Sequence, residues 1–200
     1  MALCSNAIAA NFLFHISAPA CIVSAVQEVI QTADFESNFG TVRIASSERG
    51  LVYLGFPLNN GRGFSGFRER FAPGCITRNN VAVNQIFFEQ AIEFVMGDRK
   101  EFEVPIDLRA SPFQQKIFKI VSEIRSGETL SYKDVAQLSG DDRAVRAVGM
   151  ALEANPLALV IPCHRVVGKG GKLQGYAGGV ELKARLLAAE QTGPANGRLF

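Results

Sequence analysis

The sequence predicts an α+β protein of two domains: an N-terminal α/β unit over residues 1–109 with an antiparallel sheet, and a mostly helical C-terminal unit over 110–193, with 194–200 as a loose tail. Three observations carry that expectation. Between Thr41 and Phe56 two apolar runs flank Glu48-Arg49-Gly50, the pattern of a β-hairpin. Beyond Ser111 the apolar residues recur at helical spacing in short segments broken by glycines and by Asn155-Pro156. Charge also divides near Arg109, since residues 1–110 hold 9 basic and 11 acidic side chains whereas residues 111–200 hold 12 and 8.

Residues 1–39 are moderately apolar and acidic, and Ile22 to Ile30 fits a strand or a short helix equally well. Thr41 to Ala45 and Leu51 to Phe56 are the hairpin strands. Asn59-Asn60-Gly61 and Gly63 to Gly66 read as a surface loop, for they lack the lysine and following helix of a phosphate-binding loop. Arg62, Arg68 and Arg70 beside Phe64 and Phe67 read as a solvated face. Ala82 to Met96 is an amphipathic helix with Ile86, Phe87, Ala91, Phe94 and Val95 on its apolar side, stopped by Gly97-Asp98. Phe102 to Leu108 is extended, and Pro105 suits an edge or connecting strand.

Ser111-Pro112-Phe113-Gln114 has the serine cap, first-position proline and glutamine three residues on that start a helix. Phe113, Ile117, Ile120, Val121 and Ile124 form its core stripe, and Gly127 is the expected stop. A short helix follows from Ser131-Tyr132 to Leu138, then a Ser139-Gly140 turn. Asp141-Asp142 are expected to cap a third helix from Arg143 to Ala154, which Asn155-Pro156 ends. Two short helices across a tight glycine turn fit a helix-turn-helix. The third helix is small-sided, with Ala144, Ala147, Gly149 and Ala151, so it could lie close against another surface. A glycine-rich loop from Gly168 to Gly179 precedes a last helix, Val180 to Gln191, with Leu182, Leu186 and Leu187 inward and Lys183 and Arg185 outward.

Composition excludes several classes. Hydrophobic content of 48% and charged content of 20% describe an ordinary soluble protein. The apolar N-terminus has no basic residue before Arg43 and is interrupted by Asn6, Asn11 and His15, so neither export nor a membrane span is expected. Cys4, Cys21, Cys75 and Cys163 form no C-x-x-C pair, which favours reduced thiols inside a cell. A zinc set drawn from Cys4, Cys21, Cys75 and His15 is incomplete, so no metal is expected. The basic excess in the C-terminal half suits a phosphate-binding surface.

The chemistry concentrates in Ile161-Pro162-Cys163-His164-Arg165-Val166-Val167. An apolar run from Leu157 leads into a proline, which fixes the backbone just before a sulfur. Taken alone, a cysteine after such a run is most often an inert core residue. The neighbouring histidine adds a base, and thiolate is the reactive form of cysteine, so the expectation is an ionised sulfur at the base of a slot. Sequence neighbours seldom face each other, so a bridging water is the expected proton path between Cys163 and His164, with Glu190 the carboxylate expected to orient the imidazole.

The seven-residue string resembles the active-site motif of the O6-alkylguanine-DNA alkyltransferases. Ser111 to Gln114, Gly127-Glu128, Ser131-Tyr132, Arg146-Ala147-Val148, Asn155-Pro156 and Tyr176 stand at that family's spacings too. The resemblance is dense from Ser111 to Glu190 and only an outline before it. It implies a ribonuclease H-like N-terminal domain, a winged helix-turn-helix C-terminal domain, and single-turnover transfer of an alkyl group from O6-alkylguanine, and from O4-alkylthymine, to Cys163. Tyr132 would protonate the departing guanine, and Asn155 would tie the helix-turn-helix to the active-site strand. Arg146 would fill the space left by the flipped base, with Arg143, Ala144, Ala147, Gly149 and Ser131 at the minor groove of double-stranded DNA. Pro162, Val166, Tyr176, Ala177 and Gly178 would line the pocket. No metal or methyl-donor cofactor is implied. The protein would be a monomer in the cytoplasm of a prokaryote or in a nucleus. Two positions depart from the pattern: Glu153, where other members carry a basic residue, lowers the expected DNA affinity, and Ala177 replaces a serine that in some members reaches O6. A non-reacting sensor of alkylated DNA and a cysteine hydrolase are the rival readings.

Overall fold

The computed structural model describes residues 27–37, 40–56, 63–99 and 101–192. The readings of the N-terminal stretch, of Cys4, His15 and Cys21, of Asn59 to Arg62 and of the tail lie outside the described residues.

Strand β1 (Val29–Ser37) pairs antiparallel with β2 (Gly40–Ser47), which pairs antiparallel with β3 (Gly50–Gly55). The expected hairpin is therefore β2–β3, joined at Glu48-Arg49. Gly50 follows at φ 135°, a conformation side chains rarely adopt, and a Cβ there would also run into the Pro105 carbonyl. The sheet is not purely antiparallel. A short fourth strand, β4 (Ile76–Asn79), joins β1 in parallel and gives the order β3-β2-β1-β4.

Helix α1 (Gly63–Phe71) begins where the sequence suggests a loop. Its Phe67 is buried with Tyr53, Ile30, Ala45 and Val52 against one face of the sheet, while Phe64 and Phe71 pack around that cluster. The aromatic residues of this stretch thus serve packing. On the other face lies α2 (Val81–Met96), capped by the Asn80 side chain and ended by Gly97 in the left-handed conformation. Phe87, Ala91 and Val95 turn inward as expected. Ile86 does not: it is 49% exposed, and Asn84 takes an inward place by hydrogen bonding to Ser46 at 3.0 Å.

Residues 101–110 form no regular strand. They cross beside β3, where Leu51 bridges Ile106 and donates to the Pro105 carbonyl at 2.9 Å. Asp107 accepts from Ser47 at 2.8 Å and from Arg109 at 2.7 Å, and Arg109 also pairs with Glu28. These contacts fasten the crossing segment to the sheet.

Helix α3 (Pro112–Ser122) carries the full reciprocal cap between Ser111 and Gln114. It ends at Ser122, five residues before the expected stop at Gly127, and Phe118 joins Ile117 and Val121 in the core while Phe113 stays outside. Strand β5 (Leu130–Ser131) runs into α4 (Tyr132–Leu138), capped by Ser131 and Asp134. After the Ser139-Gly140 turn comes α5 (Val145–Glu153). Asp141 accepts from Arg143 N in the preceding turn rather than capping α5, whose cap position is Ala144. Strand β6 (Val166–Val167) pairs in parallel with β5, and α6 (Val180–Thr192) closes the described chain.

One apolar cluster runs from β1–β3 and α2 through α3, α4 and α5 to the segment before Cys163 and onto α6. Edge strand β3 is buried along its whole length, with the 105–107 segment bonded at Leu51 and the 156–158 segment at Leu54. Leu54 N donates to Pro156 O at 2.8 Å, and Ala158 N donates to Leu54 O at 2.9 Å. Among the described residues no helix is long and apolar enough to cross a membrane.

Candidate active site

The apolar run that leads to the sulfur is folded tightly. Leu157 and Ile161 are wholly buried, Ala158 bridges Ile161, and Leu159 sits at φ 71°, a left-handed conformation uncommon for a residue with a side chain. Pro162 then opens a single 3-10 turn, Cys163–Arg165, that hands the chain to β6. Cys163 is 6% exposed. The Asn155 amide donates to its sulfur at 3.2 Å and to Ile161 O at 3.0 Å, while the Asn155 oxygen accepts from Leu157 N at 3.0 Å. One asparagine, just beyond the end of α5, thus fixes the sulfur and the segment that leads to it.

Burial pushes the Cys163 thiol up, against the Asn155 hydrogen bond and the Lys183 charge, which both favour thiolate. This corrects the expectation of an ionised sulfur: the group rests as a thiol and must lose its proton during reaction. His164 is fully buried, and its Nε2 lies 2.9 Å from Glu190 Oε1. Burial lowers its pKa, opposed by Glu190 and aided by the charges of Arg165 and Lys183, so the ring rests neutral. A carboxylate only accepts, so Nε2 carries the hydrogen and Nδ1 presents a lone pair. Nδ1 is buried without a protein partner. As expected, His164 makes no direct hydrogen bond to Cys163 among the described contacts to the sulfur.

Glu190 also accepts from Arg165 Nη2 at 2.8 Å, from Arg165 Nε at 3.0 Å, and from Gly127 N at 3.1 Å. Burial works to raise its pKa, but the hydrogen bonds and charges of His164 and Arg165 outweigh it and hold the carboxyl at about 2. Arg165 is itself buried and donates to Ile124 O at 2.7 Å.

Tyr132 reaches across from the start of α4, its hydroxyl 3.2 Å from both Gln174 O and Gly175 O. Burial and the nearby Cys163 raise its pKa, so it remains a proton carrier at neutral pH. The Tyr176 ring stands edge-on to His164 at 6.2 Å, and its hydroxyl is buried with no protein partner. Burial drives that phenol well above the ordinary range. Ala177 and Gly178 turn the chain beside it, and a Cβ on Gly178 would strike Leu182 at 2.6 Å. Pro162 and Val166 are buried on either side of the turn.

The structure therefore gathers Cys163, His164, Glu190, Tyr132, Asn155, Pro162, Val166, Tyr176, Ala177 and Gly178 around one turn. Arg143, Arg146 and Ala147 are apart from it, on or just before α5 and exposed, with Ala144 and Gly149 half-buried beside them. Ser131 is half-buried and spends its hydroxyl on capping α4.

The family described as 6-O-methylguanine DNA methyltransferase, DNA binding domain, matches residues 112–192. The methylated-DNA–protein-cysteine methyltransferase of Methanosarcina acetivorans is 35% identical over 79% of this chain and 96% of its own length. The chain belongs to this family. The inducible methylated-DNA–protein-cysteine methyltransferase of Bacillus subtilis is 38% identical over 74% of this chain and 83% of its own. A crystal structure of the Mycobacterium tuberculosis OGT in complex with DNA aligns with 84% of this chain and 96% of that one, at a TM-score of 0.65 and 32% identity. The Mycobacterium tuberculosis O6-methylguanine methyltransferase aligns over the same shares at a TM-score of 0.68 and 33% identity.

In this member of the family two charged residues escaped the sequence reading. Lys183, expected outward, is fully buried and donates to Val166 O at 2.6 Å and Gln174 O at 2.8 Å. Arg165 received no role, although a charge directly after a buried run signals that a partner awaits it; the partner is Glu190.

Proposed function

We propose that this methyltransferase-family protein repairs DNA by taking the alkyl group from O6 of guanine, and from O4 of thymine, onto Cys163. A carbon–sulfur bond forms as the carbon–oxygen bond breaks. The thiol proton passes through a bridging water to the Nδ1 lone pair of His164, whose other nitrogen is held by Glu190. Tyr132 supplies a proton to the departing base, so guanine leaves neutral. The single observation that carries the reading is the chain of contacts Asn155–Cys163 and His164–Glu190 around one buried turn. A thioether has no route back to the thiol here, so each molecule acts once.

On this reading residues 110–193 are the DNA-binding and transfer domain, residues 1–109 brace it, and α4 and α5 form the helix-turn-helix. The exposed side of α5 enters the minor groove, and Arg146 replaces a base flipped into the site. Gly149 supports this, because a Cβ there would meet nothing within 4 Å. Its small size is not required by the protein's own packing, and a closely approaching groove would give it a purpose. The protein acts as a monomer in a reducing compartment, the cytoplasm of a prokaryote or a nucleus.

Incubation with duplex DNA carrying radiolabelled O6-methylguanine tests the proposal. Label moves to protein, reaches one equivalent at most, and Cys163→Ala takes up none. Multiple turnover would favour a cysteine hydrolase, and tight binding without transfer would favour a sensor.

A further inference from the structure

Lysine is almost never fully buried without a compensating partner, yet Lys183 has no solvent exposure. It lies seven residues before Glu190, so the two occupy nearly the same side of α6 two turns apart. Glu190 holds the turn that carries the sulfur. Lys183 holds the chain beyond that turn: its ammonium donates to Val166 O at 2.6 Å, on the strand leaving the turn, and to Gln174 O at 2.8 Å, in the loop that continues to Tyr176. The Gln174 carbonyl also receives the Tyr132 hydroxyl, and the ammonium lies 5.8 Å from the centre of the Tyr132 ring.

We infer that Lys183 is a positioning residue for alkyl transfer, clamping the 174–176 loop to β6 and fixing the carbonyl against which the Tyr132 phenol is set. The inference rests on the alkyl-transfer reading and deepens it. Tyr132 can protonate a base only if its hydroxyl leaves Gln174 and Gly175 for the incoming ring. A carbonyl already held by an ammonium gives the phenol up more readily than one it alone satisfies, because the oxygen keeps a partner when the phenol departs.

The charge has a second effect. Cys163 and His164 of the turn, Arg165, Tyr132 of α4, Tyr176 of the loop, and Glu190 on the same helix are the ionisable groups around this end of the site. Burial brings Lys183 down to about 8, with Cys163 pulling the other way, and the lysine in turn favours the Cys163 thiolate. As the thiol proton leaves, the ammonium opposes the charge that builds on sulfur, and the new carbon–sulfur bond then removes that charge.

The test uses the full chain in single-turnover reactions with free O6-benzylguanine and with duplex DNA carrying O6-methylguanine, from pH 6 to 10. Lys183→Met is expected to lose about tenfold or more in rate at neutral pH on both substrates, with the rising limb of its pH profile moved to higher pH. Lys183→Arg keeps the limb in place. Tyr132→Phe costs less in the Lys183→Met background than alone, since the two groups share one carbonyl. A Lys183→Met protein with the native rate and native limb, or additive losses with Tyr132→Phe, overturns the inference. If Lys183→Met does not fold, nitrogen-15 spectra of the unaltered protein decide. One lysine ammonium signal protected from exchange, absent in Lys183→Arg and shifted when O6-benzylguanine alkylates Cys163, is expected, and its absence overturns the clamp. An unaltered protein that reacts with neither substrate would instead remove the alkyl-transfer reading.

Discussion

Glu190→Gln separates charge from shape at the centre of the site. The carboxylate accepts from His164 at 2.9 Å, from Arg165 at 2.8 and 3.0 Å, and from Gly127 at 3.1 Å, and an amide of the same size can accept at only one of its two atoms. The native carboxyl stands at about 2 against an ordinary 4.5. At ~1.4 kcal/mol per pKa unit, the carboxylate contributes about 3 kcal/mol to folding. That agrees with the ~3–5 kcal/mol expected when a buried charge, here Arg165, loses its counterion. Because the folded pKa is depressed, the stabilisation is fully present above pH 4.5 and is lost as pH falls through about 2. Urea unfolding of both proteins at neutral pH and at several acid values should therefore give a gap of about 3 kcal/mol at pH 7 that narrows steadily below pH 4.5. Alkyl transfer to free O6-benzylguanine should fall about 100-fold, because His164 loses the group that fixes its tautomer. A gap below about 1 kcal/mol at pH 7, or one that stays constant into acid, would refute the reasoning.

Three further perturbations test other parts of the molecule. Asn155→Ala removes the amide from the sulfur; the pH at which iodoacetamide half-labels Cys163 should rise and transfer should slow by about tenfold, and an unchanged labelling curve would show that the 3.2 Å contact does not tune the thiol. Arg146→Ala alters an exposed side chain, so melting should not change, whereas repair of duplex DNA should fall at least about tenfold further than reaction with free O6-benzylguanine; equal losses would end the proposed finger role. Gly50→Ala would put a Cβ 2.2 Å from Pro105 O at a φ of 135°, and calorimetry should record a loss of about 2–4 kcal/mol.

Elements fixed by local chemistry were readable in the chain. The Ser111 cap, the hairpin and the Cys163 string each carry their instructions within a few residues, and Glu190 stands where the string requires a carboxylate. Strand β4 was hidden because all four of its residues are exposed, which leaves no alternation to detect. The start of α1 was masked by Gly63 and Gly66, although Phe64, Phe67 and Phe71 recur at helical spacing and would have given it away. Lys183 could not be read at all: its partners are backbone carbonyls 9 and 17 residues away, and carbonyls leave no mark on a sequence. Arg165 and the neutral state of the thiol depend likewise on burial that only the assembled fold creates.

The two hydrogen bonds that Leu54 exchanges with Pro156 and Ala158 make the floor beneath the nucleophile continuous with the edge of the N-terminal sheet. Cutting the chain near Ala110 to obtain a minimal reagent would bare that floor to water, leaving Leu157 without the strand it bridges. On the proposed division of the chain, a working miniature would need a substitute for β3.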